Sequence, residues 1–218
     1  MDRLNPMRQL GKIRDQGQME AGMSEYENTM RTLRFGVAPL QNTSWTTLVE
    51  RWQYLDELGF DSAWAADHFV NPFFPSEPFL DGRFCRPLPT HTRRIRLGTI
   101  VTNISLHNPA VLAKQALTVD HVSGGRLELG IGARGAETDH TMTGIPDWNP
   151  RERAARLRKV IEILDQMLQN EVTTYQGHHY QIESAEMHPA SIQKPRPPIT
   201  IVALGPKSLK IAARYADS

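Results

Sequence analysis

Short apolar runs without alternation, each followed by a stretch with helical apolar spacing, recur along the chain from residue 33 onward. Strands of that kind are buried on both faces, which requires a parallel sheet covered by helices. Residues 33–39 read as the first strand. Residues 46–58 form a helix with Leu48, Val49, Trp52, Leu55 and Leu58 on one face, stopped by Gly59. Strand two is 62–66 and strand three 96–102. A helix opens at Asn108 and Pro109, an N-cap followed by proline in the first turn, and runs to about residue 122. Strand four is 126–131. The helix over 151–170 has an apolar stripe of Leu157, Val160, Ile161, Leu164, Met167 and Leu168. Residues 172–175 and 179–182 read as a β-hairpin, 199–202 as strand five, and 208–216 as a further helix.

Five parallel strands suit either an open doubly wound sheet or the first five-eighths of an α/β barrel. No Gly-x-Gly-x-x-Gly follows strand one, which weighs against the dinucleotide-binding version of the open sheet. In a barrel, chemistry sits at the C-terminal mouth, where strands end. Asp67 and His68 end strand two and Thr102 and Asn103 end strand three, so these four stand where catalytic groups belong.

Composition narrows the function classes. Twenty-five basic and twenty-four acidic side chains leave a net charge of +1, and no long basic run provides a footprint for nucleic acid. No apolar stretch approaches a membrane span. The single cysteine, Cys85, rules out an internal disulfide and fits a reducing cytoplasm. Residues 1–31 are polar, lack the apolar core of a secretory signal, and read as a disordered extension outside the fold. His178, His179 and His188 match no usual ligand spacing, so no metal is expected.

Several motifs carry a resemblance. Ala65-Ala-Asp-His-Phe69, Arg94-Ile-Arg-Leu-Gly-Thr99, His107-Asn-Pro-Ala-Val-Leu-Ala-Lys114 and Gly125-Arg-Leu-Glu-Leu-Gly-Ile-Gly132 occur in order. Tyr175-Gln-Gly, Pro197-Pro-Ile199 and Ala212-Ala-Arg-Tyr-Ala-Asp217 follow. Together they resemble the bacterial luciferase-like flavin-dependent oxidoreductases over residues 32–218. The resemblance implies a (β/α)8 TIM barrel with about the first five βα units present. It also implies FMN or the deazaflavin coenzyme F420 as cofactor, with the Ala-Asp-His-Phe strand end leaning toward F420. The reaction implied is hydride transfer or oxygen insertion on a small organic substrate, and family members are often homodimers. Carried over by position, the resemblance gives His68 and Glu137 catalytic roles, His68 as proton donor or shuttle. It gives Asp67, Thr102, Asn103, Ala203 and Gly205 to the cofactor, and places His140 at the mouth. Independently of family, chemistry on a flavin ring needs a proton carrier near neutral pH, which suits histidine.

Three departures bear on activity. Residues 83–90 hold two prolines and two arginines where the family has an amphipathic helix, which a local frameshift would explain. Gly135 and Ala136 replace an aromatic and an asparagine. Strands six to eight are absent, so the chain is expected to be nearly inactive alone. The alternatives are a non-catalytic interaction module derived from the family and a metal-dependent hydrolase barrel. Arg134, flanked by glycine, reads as surface or as an anion contact, and Cys85 is not expected to be a catalytic thiol.

Overall fold

The computed structural model describes residues 33–80 and 88–217. The readings of 1–31 as an extension, of 83–87 and of Cys85 lie outside the described residues. Residues 35–218 form one compact unit. Its strands are β1 (Gly36–Val37), β2 (Ser62–Ala65), β3 (Arg96–Thr99), β4 (Thr102–Asn103), β5 (Leu127–Gly132) and β8 (Ile199–Ile201), with β6 (Val172–Gln176) and β7 (Gln181–Glu186) as a separate antiparallel hairpin. The helices are α1 (Trp45–Glu57), α2 (Leu88–His91), α3 (Pro109–Ser123), α4 (Glu137–Thr143), α5 (Pro150–Gln169) and α6 (Pro206–Tyr215). The main sheet is wholly parallel: β1, β2, β3 and β5 pair in that order, β4 continues along β5, and β8 pairs on its far side. Helices between parallel strands, with every strand ending on one side, build the wall of a TIM barrel.

Residues 96–102 do not make the single strand that their apolar run predicts. Leu97 pairs with Leu127 and Thr102 with Ile131. Five positions on one strand thus oppose four on the other, which is a β-bulge between β3 and β4. Glycine makes room for it. A Cβ on Gly130 would run into the Thr99 carbonyl, and one on Gly132 into the Val101 side chain. Gly130 and Gly132 of the 125–132 motif are therefore paired with the bulge, while Gly125, with φ +82°, makes the turn after α3.

Two apolar clusters fill the space between sheet and helices. Leu48 and Trp52 of α1 pack on Ala63, Ala65, Ile95 and Leu97, while α3 and α5 close over β5 and β8 through Leu112, Leu129, Ile131, Ile161 and Leu164. The α5 stripe falls as expected. Asn108 caps α3, accepting from the N–H groups of Ala110 and Val111. On the concave face the Trp64 ring covers Gly98 closely enough that a Cβ there would meet it.

Part of the 83–90 stretch differs from expectation, since Leu88–His91 is helical with Leu88 and Pro89 buried. Proline is tolerated in a first helical turn. Arg126 holds this short helix in place, its guanidinium donating to the carbonyls of Pro89 at 2.7 Å, Thr92 at 3.1 Å and Ile95 at 2.9 Å. Asp56 secures the next residues by accepting from the N–H groups of Arg93 at 2.6 Å and Ile95 at 2.7 Å.

Candidate active site

Asp67 and His68, just beyond the end of β2, take partners from different elements. Asp67 follows Ala63 and Ala65 onto the helix-covered side and is buried. Its Oδ2 accepts from the Asn103 N–H at 2.9 Å and contacts His107 Nε2 at 2.8 Å. His68 shares the phase of Trp64, on the concave side, and its side chain is 24% exposed. Its Nδ1 lies 2.8 Å from Oδ2 of the fully buried Asp139.

Asp139 also binds backbone on two elements. Its Oδ1 accepts from Phe69 N–H and its Oδ2 from Ala136 N–H, each at 2.8 Å. The second of these bonds starts α4. The carboxylate therefore ties the end of β2 to the connection after β5.

The bulge decides where Asn103 points. In an unbroken strand Asn103 would share the phase of Leu97 and Thr99, beneath the helices. The extra residue instead pairs Asn103 with Gly132, on the face of Gly98 and Gly130, and leaves Thr102 opposite Ile131 on the helix side. Thr102 accordingly shares a short hydroxyl hydrogen bond with Thr99. Asn103 is 1% exposed, and its Oδ1 accepts from the N–H and hydroxyl of Ser105. Its Nδ2 has no acceptor among the described residues. Gly135 lies against that amide: a Cβ there would strike both Asn103 Nδ2 and Asp139 Oδ2. A buried donor without an acceptor, beside a backbone stripped of its side chain, fits a bound group that carries an acceptor atom.

The remaining expected residues are more dispersed. Glu137 is exposed in the first turn of α4, and the carboxylate touching His68 belongs to Asp139 instead. His140 is buried and turned toward the α4–α5 connection, with Nδ1 3.2 Å from the Ile145 carbonyl. Among the described residues its Nε2 has no hydrogen-bond partner, Asp147 being 3.8 Å away. Ala203 and Gly205 follow β8 at the same end of the sheet. The Gly205 N–H is taken by Ser208 Oγ at 3.1 Å, so Lys207 and Ser208 carry the free amides at the start of α6. Arg134 is exposed. Sequence reasoning missed Asp139 and His107 as site partners. The one local signal for Asp139 was its place three residues after Ala136, where an acidic side chain can close back on a helix start.

Among the described residues, no group of three or more His, Cys, Asp or Glu could hold a metal ion. No helix among the described residues is long and apolar enough to cross a membrane. A cavity of about 90 Å3 lies behind the sheet rather than at the mouth, between β3, β5, α1 and α3, with Trp52, Leu97, Leu112 and Leu129 on its wall. Thr102 and His107 reach it from the site side.

Residues 29–218 match the family model described as luciferase-like monooxygenase. The chain is 33% identical over 172 residues to an F420-dependent glucose-6-phosphate dehydrogenase of Kineococcus radiotolerans, covering 74% of this chain and 48% of that protein. It is 29% identical over 178 residues to the oxygenase component of a flavin-dependent trigonelline monooxygenase of Acinetobacter baylyi, covering 80% and 47%. Among solved structures, the coenzyme F420-dependent tetrahydromethanopterin reductase of Methanopyrus kandleri superposes with a TM-score of 0.73 at 27% identity, covering 85% of this chain and 54% of that one. The chain spans about half the length of the curated relatives it matches.

Proposed function

Because this chain belongs to the luciferase-like monooxygenase family, we propose that it is an oxidoreductase using coenzyme F420 or FMN on a small organic substrate. The observation that carries this reading is Asn103, whose buried Nδ2 lacks an acceptor beside the Gly135 backbone. Asn103 and the Gly135 backbone would hold the ring of the cofactor. Asp67 acts on it indirectly, by fixing the Asn103 amide and His107. Thr102 steadies the bulge from behind. The loop holding Ala203 and Gly205 and the first turn of α6 offer amides and Lys207 to a phosphate-bearing tail.

A bound flavin or deazaflavin supplies hydride transfer or oxygen chemistry at its ring. The chain's own part is to position that ring and to move a proton through His68 Nε2, the ring nitrogen not engaged by Asp139. Glu137 belongs to the exposed rim of the site. The F420-dependent relatives and the Ala-Asp-His-Phe strand end favour F420. Nothing in the charge pattern calls for nucleic acid, and one cysteine in 218 residues suits the cytoplasm. Among the described residues β1 and β8 each pair on one side only. The family's members are often dimers, and a homodimer is the form proposed for the working enzyme.

Fluorescence titration of the full chain with F420 and with FMN tests this. Saturable binding of at least one is expected, weakened about 3- to 10-fold by Asn103→Ala, the equivalent of one hydrogen bond. A folded chain that binds neither would overturn the reading.

A further inference from the structure

We infer that Asp139 is the positioning residue of His68, holding its neutral imidazole in the Nδ1–H tautomer so that Nε2 faces the mouth as a proton acceptor. The carboxylate meets three groups, of which the Phe69 and Ala136 N–H are obligatory donors. A carboxylate has no proton to give. The hydrogen in the 2.8 Å contact with His68 therefore sits on Nδ1, and Nε2 is left with its lone pair.

Burial gives the arrangement its direction. Asp139 is fully buried whereas the His68 side chain is 24% exposed, so the fixed nitrogen lies inward. The ring cannot turn over without leaving the carboxylate facing carbon. Asp139 is itself locked, because its two backbone bonds come from different connections, after β2 and after β5. A histidine held this way resembles the base of a catalytic triad in logic, with the acidic partner choosing the tautomer.

Asparagine separates this role from a purely structural one. In Asp139→Asn the new side chain would have one acceptor oxygen and one NH2 for three donors. In either orientation its NH2 opposes a backbone N–H, and in one of them it donates to His68 Nδ1 and reverses the tautomer. The inference rests on His68 being the proton carrier of the proposed enzyme, but its test uses the cofactor-free full chain. Failure to bind cofactor and failure of the tautomer assignment are thus distinct results.

The measurement is long-range 1H–15N NMR of the histidine rings at alkaline pH, where imidazole is neutral, with His68→Gln assigning the His68 signals. The expected wild-type pattern is a protonated Nδ1 and an unprotonated Nε2. In Asp139→Asn the two nitrogens should average or exchange identities, and turnover by the loaded enzyme should fall about a hundredfold with cofactor Kd within about twofold. A wild-type His68 with its proton on Nε2 refutes the inference without any variant. So does a folded Asp139→Ala protein, judged by near-UV circular dichroism, whose His68 ring nitrogens stay as in wild type although no side-chain oxygen is left to meet Nδ1. Asp139 would then serve only as the cap of α4.

Discussion

Replacing Gly130 by alanine should damage the protein more than the same change at an exposed glycine, because the added carbon meets backbone on the facing strand of the bulge. The new Cβ would lie 3.1 Å from the Thr99 carbonyl carbon and closer still to its oxygen, with the Trp64 ring 3.6 Å away. Side chains can rotate away from an intruding methyl, and such overpacking typically costs about 1–3 kcal/mol. A backbone carbonyl cannot swing aside without moving its strand, so the upper end, about 3 kcal/mol, applies. For a chain of this size that is a fall in Tm of about 6–12 °C. Gly144→Ala is the matched control. Gly144 has φ +71° and no atom within 4 Å of an added methyl, so it carries only left-handed backbone strain, about 1 kcal/mol and about 2–4 °C. Thermal melts of the two variants beside wild type, checked by urea unfolding, give the comparison. If Gly130→Ala melts no lower than Gly144→Ala, the bulge does not depend on glycine at this position and the account of Asn103 fails with it.

Two further perturbations probe the connection between β2 and β3. Burial pushes the Asp56 carboxyl up, but the backbone hydrogen bonds from Arg93, Ile95 and Arg94 outweigh this and leave it below the ordinary carboxylate value. A lowered folded value adds stability that is present above the unfolded value, about 3.9, and is lost as pH falls through the folded one. Asp56→Asn should therefore be less stable than wild type at pH 7, with the gap closing in acid; a gap unchanged down to pH 3 would be the wrong result. Arg126→Lys should cost about 2 kcal/mol, because one ammonium cannot span the carbonyls of Pro89, Thr92 and Ile95. Urea midpoints measure this, and a lysine variant equal to wild type would show that the fork geometry is unimportant.

Much of the fold was legible because it is written in local pattern. The α5 stripe, the asparagine cap of α3 and the hairpin each depend on residues within a turn or two of one another. The features that were not legible depend on distant partners. The break between β3 and β4 is accommodated by Gly130 and Gly132 on another strand, so an apolar run from 96 to 102 cannot reveal it. Four-residue α2 contains a proline, and it is fixed by the Arg126 guanidinium across the fold. α4 holds three threonines in seven residues, a poor helix by propensity, and its start is closed by Asp139. The site follows the same division. The sequence indicates Asp67 and His68 by their place after a strand, while their partners His107 and Asp139 stand forty and seventy-one positions away.

The neighbouring residues Asp67 and His68 also explain why this strand end can both anchor and react. Just beyond the end of β2, each takes a different partner from a different element. Asp67 fixes the start of α3 through His107 and the Asn103 backbone; His68 is fixed by Asp139 and keeps one nitrogen toward the concave face. The bulge performs the same separation for Thr102 and Asn103, with an inserted residue in place of simple alternation. Without that residue Asn103 would lie under the helices and Thr102 would face the concave side. Deleting one residue between Thr99 and Thr102 should therefore leave the apolar clusters able to form while removing the Asn103 amide from Gly135. A deletion variant that folds yet binds cofactor as tightly as wild type would mean that the ring is held elsewhere.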